Sequence, residues 1–252
     1  MLVESQIIDK YSRFESLLEK HFSHESRYNN IMKFTEVFQD RILTAPASSR
    51  RHLYSAFMGG YLTHILLVYD IAMDMYDIWN KYSNQMLYSQ NSVAFVSLFH
   101  CIGKLGDMEN LYYIPQTDEY RLDKYGEKYI INPKIQNMDV TDRTFWLLQK
   151  FNIEISDEEW LAIRLAAGMY KNSNKEYLSP NLTSSDRDII QTNLPILLHH
   201  STNMACRMEY EYWKYNDYEM FIDSSRAKIT SDDYSSYPDN AFESIDDILN
   251  NL

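Results

Sequence analysis

Two histidines stand in segments of the sequence that could do chemistry. His64 follows a Gly-Gly pair in an apolar stretch, and His100 is followed directly by Cys101. Two imidazoles and a thiolate can bind Zn²⁺, whereas imidazoles without a carboxylate hold Mg²⁺ or Mn²⁺ poorly, because hard cations need oxygen ligands. The same side chains can instead be hydrogen-bonded core histidines and a small buried cysteine. The residue types favour the core interpretation and leave a His64–His100–Cys101 metal site, holding Zn²⁺ or Mn²⁺, as the alternative.

Basic side chains near these histidines indicate a second kind of chemistry. Arg51 and His52 belong to the chain's only basic cluster, and Lys104 follows shortly after His100. Together with His64 they form a candidate pocket for an anionic ligand such as a nucleotide. The alternatives are that the lysine faces solvent and that the arginine caps a helix or pairs with an acid. The formal net charge of −12 argues against a non-specific grip on nucleic-acid phosphates.

The elements that position these residues are predicted to be helices. Hydrophobic residues make up 45% of the 252 residues, enough for a core, and only 6 Gly and 6 Pro are present. Apolar residues recur at helical spacing over 5–22, 28–42, 62–82, 91–102, 140–152, 156–170 and from about 184 to 213. We therefore predict an all-α bundle.

Two segments depart from the helical pattern. The stretch YRLDKYGEKYIINP predicts a small β-hairpin insertion near 118–132 that turns at Gly126, because Tyr and Ile flank a polar turn. Residues 216–252 form an acidic tail with nine acidic and two basic side chains, net −7. We expect three parts: N-terminal helices (1–43) that pack on the core, a core domain (44–215) and the tail.

The acidic tail regains apolar residues at its end. One helical face there would carry Phe242, Ile245, Ile248, Leu249 and Leu252. An exposed apolar cluster of this size needs a cover, so we predict that the segment docks on a partner protein. The alternative is that it folds back onto its own domain or frays.

Cysteine usage and hydropathy indicate a cytoplasmic location. Two cysteines cannot form a disulfide scaffold, and they suit a reducing compartment. The N-terminal segment has no basic region followed by an apolar one, as a signal peptide would. The longest apolar run, at 92–102, has about half the length of a membrane span. We therefore expect no association with a membrane.

Four stretches of the chain carry motifs in a common order: residues 45–70, 97–107, 158–170 and 194–211. The first contains Gly-Gly-x-x-x-His ending at His64, and the second reads His-Cys-Ile-Gly-Lys from His100. In these features the chain resembles the HD-domain metal-dependent phosphohydrolase superfamily, and most of all its members from bacteriophages and their bacterial relatives. The family pattern at the second motif is His-Asp-x-Gly-Lys, and the resemblance covers about residues 40–212.

The resemblance implies an HD-type helical bundle in which His and Asp side chains hold a divalent metal. That metal activates a water molecule to attack a phosphate ester. Here the ligand positions are mostly lost: beside the retained His64 and His100 they correspond to Cys101, Val140, Ala166 and Thr202. The loss of both aspartates removes the negative charge that such a metal needs.

The leading prediction is therefore a catalytically inactive HD-fold protein, a pseudoenzyme. We expect it to be phage-encoded, to lie in the host cytoplasm, to need no cofactor, and to bind a partner protein or a nucleotide-like anionic ligand. The alternative is a metal-dependent nucleotide phosphohydrolase with an atypical His/His/Cys site. A third hypothesis, an acidic decoy that mimics DNA, rests on net charge alone.

Overall fold

The computed structural model describes residues 2–83, 88–178 and 192–216. Within these ranges the chain is mostly helical, which confirms the predicted all-α class. The α-helices there are α1 (Glu4–Phe22), α2 (Tyr28–Thr44), α3 (Gly60–Tyr82), α4 (Gln90–Phe99), α5 (Glu119–Tyr125), α6 (Val140–Lys150), α7 (Asp157–Leu165), α8 (Lys175–Leu178) and α9 (Leu194–Asn216). None of the helices in these ranges combines the length and the apolar character that a membrane span requires.

Most helix boundaries agree with the hydrophobic periodicity. The helices predicted at 91–102 and 156–170 are shorter than expected, because α4 and α7 each end in a break that a 3₁₀ turn follows. Pro195 is the second residue of α9, where its missing N–H costs no intrahelical hydrogen bond. The helix start predicted near residue 184 lies outside the described residues.

The predicted hairpin is present, but its predicted boundaries are wrong. β1 (Tyr113–Pro115) pairs antiparallel with β2 (Tyr129–Ile131). The residues predicted as the first strand form α5 instead, because the Asp118 side chain accepts hydrogen bonds from backbone N–H groups of the first turn. Gly126 ends that helix in the left-handed conformation, with φ 60°. The glycine therefore caps a helix and does not join two strands.

Helix α3 lies at the centre of the core. It packs most extensively against α4 and α9, and it also contacts α1 and α2. Helix α7 packs on α4 and α9, and α6 packs on the 3₁₀ turn Ile102–Leu105. Stacked and edge-on aromatic rings fill the space between these helices: Phe22, Phe34, Phe38, Phe95, Phe99 and Phe151. The N-terminal helices thus share one core with the helices that carry the candidate site residues.

The tail predicted as a docking element lies almost wholly outside the described residues. Helix α9 ends at Asn216, and the apolar residues Phe242, Ile245, Ile248, Leu249 and Leu252 belong to the part that is not described. Their docking on a partner stays a prediction.

A buried ion pair joins the N-terminal helices to α7. The Arg27 guanidinium donates hydrogen bonds to both carboxylate oxygens of Glu159, at 2.6 and 2.8 Å, and to Glu25 at 2.7 Å. The guanidinium carbon lies 3.9 Å from the ring centroid of Phe95. Because both partners of the main pair are buried, the loss of either one leaves a charge without compensation.

We expect Arg27→Ala to lower the free energy of unfolding by about 3–5 kcal/mol, because it leaves the Glu159 carboxylate buried and unpaired. Arg13→Ala is the matched control: it removes an exposed pair with Asp70 and should cost at most about 1 kcal/mol. Urea unfolding of both variants measures the difference. Equal, small losses would show that the Arg27 pair does not hold α7 in place.

Candidate functional site

The Gly-Gly pair before α3 brings the preceding connector close to the helix. Gly59 adopts the left-handed conformation, with φ 82°. A Cβ atom on Gly60 would lie 1.9 Å from the carbonyl oxygen of Ser55, so no other residue fits there. This close approach places Tyr54 and Ser55 beside His64, which lies one turn into α3. The glycine pair therefore has a packing role that needs no ligand.

His64 donates a hydrogen bond to a buried glutamate that the sequence analysis missed. Its Nδ1 lies 2.9 Å from the Glu209 carboxylate of α9, and the other carboxylate oxygen accepts a hydrogen bond from the Ser55 hydroxyl. Both the imidazole and the carboxylate are completely buried. The signal in the sequence is spacing: Glu209 falls four residues after Ala205 and eight after Ser201, on the buried stripe of α9.

The register of α9 against α3 corrects the expected position of Thr202. Ser201 contacts Met75, eleven residues beyond His64, while Glu209 contacts His64 itself. Thr202 precedes Glu209 by seven residues, or about 10 Å along the helix. The α9 side chain at the level of His64 is therefore Glu209, and Thr202 lies about 10 Å further along the helix axis.

Lys104 is buried and bound within the protein. Its ammonium donates to the Tyr54 hydroxyl at 2.6 Å and to the Ala47 carbonyl oxygen at 2.8 Å. The Tyr54 ring in turn stacks on His64, with ring centroids 4.6 Å apart and planes 29° apart. Lys104 therefore neither faces solvent nor is available to a phosphate in this arrangement. Its role is to fix the connector against the 3₁₀ turn.

His100 lies at the C-terminus of α4, next to His64. Its Nδ1 lies 3.0 Å from the Ser97 carbonyl oxygen, so Nδ1 carries the proton. Burial, with His64 and Lys104 nearby, lowers the pKa of His100 to about 3. The ring is therefore neutral at physiological pH, with a lone pair on Nε2, and its centroid lies 6.1 Å from that of His64.

Cys101 is a buried thiol between α4 and the 3₁₀ turn. Burial raises its pKa to about 11, so it is not a ready thiolate. The turn is pinned by Thr144 of α6, whose hydroxyl accepts from the Gly103 N–H at 3.0 Å. A Cβ on Gly103 would lie 2.2 Å from the Val140 carbonyl oxygen. This glycine, like the pair at α3, is required by backbone packing.

Arg51 and His52 do not join the other predicted pocket residues. Arg51 is exposed, and its backbone N–H binds the Gly126 carbonyl oxygen at 2.8 Å. The His52 ring lies 6.0 Å from the Trp213 ring near the end of α9. Burial, with two neighbouring arginines, lowers the pKa of His52 to about 4. The five predicted residues thus divide into two groups. His64, His100 and Lys104 lie in the interior, and together with Glu209, Ser55 and Tyr54 we call them the buried polar network. The exposed Arg51 and the half-buried His52 lie on the connector, apart from that network.

The donor set does not fit the divalent metal that the family resemblance implies. Across the described ranges, His, Cys, Asp and Glu side chains form no group of three or more that could hold a metal ion. The one carboxylate beside His64 is already bound by the imidazole and by a serine hydroxyl. A hard cation would have to displace both donors from that carboxylate before it could bind.

No protein-family model matches the chain, and neither a curated protein nor a solved structure was found to be similar to it. We therefore infer the chemistry of the site from its geometry and not from a related protein.

We expect Glu209→Ala to lower the free energy of unfolding by about 3–5 kcal/mol, because it leaves the buried donors of His64 and Ser55 unsatisfied. Glu209→Gln keeps one acceptor and should cost less. Glu211→Ala, at an exposed position of the same helix, is the control and should stay within about 0.5 kcal/mol. Chemical denaturation measures all three. Similar small losses for Glu209→Ala and the control would contradict the hydrogen-bonding role.

Stability should also depend on pH through His100. Because its pKa is lower in the folded chain than in the unfolded one, the unfolded state binds the proton first, and stability is lost as the pH falls below about 6.5. His100→Gln removes this contribution, so the loss of stability from about pH 7 to about pH 5 should shrink by about 2 kcal/mol. His200→Gln, at an exposed position, is the control. An unchanged pH dependence in His100→Gln would contradict the prediction.

Proposed function

We propose that this protein is a non-catalytic protein with an HD-like fold, which acts by binding and not by hydrolysis. The observation that supports the proposal is the buried polar network. In it, the groups that would serve phosphate chemistry are hydrogen-bonded to each other: His64 to Glu209, and Lys104 to Tyr54 and a backbone carbonyl oxygen. These contacts provide hydrogen-bond partners for the buried charges of Glu209 and Lys104 without a ligand.

The charges of the network explain why a metal is not needed there. In a metal-dependent hydrolase the cation compensates the carboxylates and lowers the pKa of a bound water. Here the Glu209 carboxylate is stabilised by two donors, and the Lys104 ammonium by two acceptors. A buried charge is tolerated when hydrogen bonds of this kind satisfy it. The network thus supports a structural role for the residues that the resemblance assigns to catalysis.

The same geometry limits the positions at which an anionic ligand could bind. Of the predicted ligand-binding residues, Lys104 is engaged and His100 is neutral and buried. Arg51 remains at the surface, with His52 beside it. We therefore place ligand or partner binding at the connector and not in the interior. From the sequence we still infer that the protein is phage-encoded, lies in the host cytoplasm and binds a partner protein.

One observation favours the alternative, a phosphohydrolase with a His/His/Cys site. The Nδ1 atoms of His64 and His100 are both bound, to the Glu209 carboxylate and to a backbone carbonyl oxygen. This is the arrangement that orients metal-binding histidines, because it leaves the lone pair on Nε2. Cys101 would have to supply the third ligand as a thiolate, against its raised pKa.

Assays of nucleotide monophosphatase and phosphodiesterase activity with added Mn²⁺ or Zn²⁺ test the proposal. We expect the wild-type rate to equal that of His100→Ala, because neither protein has a complete metal site. Metal-stimulated turnover that is lost in His100→Ala would favour the alternative instead.

A gain-of-ligand variant tests a separate point, whether the interior has kept the geometry of a metal site. Cys101→Asp places a carboxylate next to His100, so it should bind Mn²⁺ more tightly than wild type by isothermal titration calorimetry. Thr202→Asp is the matched control, because its carboxylate would lie about 10 Å along α9 from the level of His64. Equal Mn²⁺ affinity in both variants would show that the interior has not kept the geometry of a metal site.

A further inference from the structure

A buried arginine beside the 3₁₀ turn has hydrogen-bonding capacity that the described residues do not use. Arg143 of α6 is only 2% exposed, and a guanidinium has five N–H donors. Within the described part of the chain it makes one hydrogen bond, from Nη2 to the Gln136 carbonyl oxygen at 2.6 Å, and its buried Nε has no acceptor there. Buried polar groups are normally paired, so this guanidinium requires an explanation.

The carboxylates close to Arg143 are bound by other donors. Asp107 interacts electrostatically with the guanidinium, but within the described ranges the two form neither a hydrogen bond nor an ion pair. Asp107 Oδ1 instead accepts from two backbone N–H groups of its own loop, at 2.9 and 2.7 Å. Asp139, the N-cap residue of α6, forms an ion pair with Lys171 at 3.0 Å. The arginine thus has negative charge nearby but few acceptors for its donors.

A tyrosine hydroxyl lies close to the same guanidinium. The guanidinium carbon lies 5.8 Å from the ring centroid of Tyr112, and the hydroxyl interacts electrostatically with Arg143. No described residue forms a hydrogen bond with that hydroxyl. The backbone of Tyr112 is fixed, because its carbonyl oxygen accepts from the Asn132 N–H at 2.8 Å. Donors from two separate segments of the chain therefore converge without an acceptor between them.

Both segments that contact Arg143 belong to the surface. Tyr112 follows the exposed Leu111, and Gln136 is itself exposed. The loop before Tyr112 is held in one position by Arg41, whose guanidinium donates to the Asn110 carbonyl oxygen at 3.1 Å. A small ligand that enters between these segments would meet donors that are already in place, which lowers the entropic cost of binding.

We propose that Arg143 and the Tyr112 hydroxyl bind the carboxylate group of a small organic acid. A planar guanidinium can donate two parallel hydrogen bonds to a carboxylate, and the hydroxyl donates a third. A single negative charge suits the site, because Asp107 and Asp139 lie near and would repel a phosphate dianion. The ligand is small, because neighbouring residues cover the arginine. This site is separate from the connector and goes beyond the function proposed above.

Thermal melting of the full-length protein tests this site with acetate as the probe. Acetamide is its neutral analogue, and NaCl keeps the ionic strength constant in a buffer without other carboxylates or phosphate. We expect about 50 mM acetate to raise the Tm of the wild type by about 2–4 °C, as a ligand of the folded state does, and acetamide to change it by less than about 0.5 °C.

Three variants separate binding at this site from a general effect of salt. Arg143→Lys keeps the charge but loses the planar donors, so the acetate-dependent rise in Tm should disappear. Tyr112→Phe removes only the hydroxyl and should reduce the rise by at least about half, which keeps the test decisive if Arg143→Lys folds poorly. Arg207→Lys, at an exposed position of α9, is the matched control and should keep the full rise.

The proposal also predicts how phosphate behaves. Any change in Tm that phosphate causes should be the same in the wild type and in all three variants, because phosphate then acts as a general salt and not at Arg143. A phosphate-dependent rise that Arg143→Lys and Tyr112→Phe lose would overturn the assignment to a carboxylate. No acetate-dependent rise in the wild type, or equal rises in the wild type and all three variants, would overturn the site itself.

Discussion

The buried carboxylate of Glu209 is the group on which the arrangement of the site depends. It lies between α3 and α9 and accepts hydrogen bonds from His64 of α3 and from Ser55 of the connector. A carboxylate without such donors could not be buried at this depth. One side chain thus fixes the register of two central helices and the position of the connector. The second half of the network, Lys104 with Tyr54, fixes the same connector against the 3₁₀ turn after α4.

This dependence connects the fold with the proposed function. In a hydrolase, polar groups at the centre of the bundle would be held ready for a metal and a substrate. Here the same groups hold the helices together, so their hydrogen-bonding capacity is used by the protein itself. Of the basic residues in the connector, Arg51 lies exposed on the surface and outside this network. This use of the interior groups supports the proposal that any binding takes place at the surface.

The sequence predicted the helices well, because apolar residues recur at every third or fourth position on the buried face of a helix. It predicted a strand where α5 lies, because Tyr and Ile on either side of a polar turn favoured a hairpin over a helix capped by Asp118. It missed Glu209, because an acid is normally read as a surface residue and only the register of α9 on α3 shows its partners. The predicted environments of Lys104, an anion pocket or solvent, were wrong for the same reason, because its acceptors come from a connector some fifty residues earlier. Contacts between distant segments are not encoded in local periodicity.

Thermal melting in the presence and absence of metal ions tests most directly whether the interior is held by its own hydrogen bonds. A ligand that binds only the folded state raises Tm. We expect Tm to stay within about 1 °C on addition of EDTA, Zn²⁺ or Mn²⁺, because the network offers no free set of ligands. A rise of several degrees with one of these metals that disappears in His64→Ala and His100→Ala would show that the interior is a metal site, and the non-catalytic interpretation would be wrong.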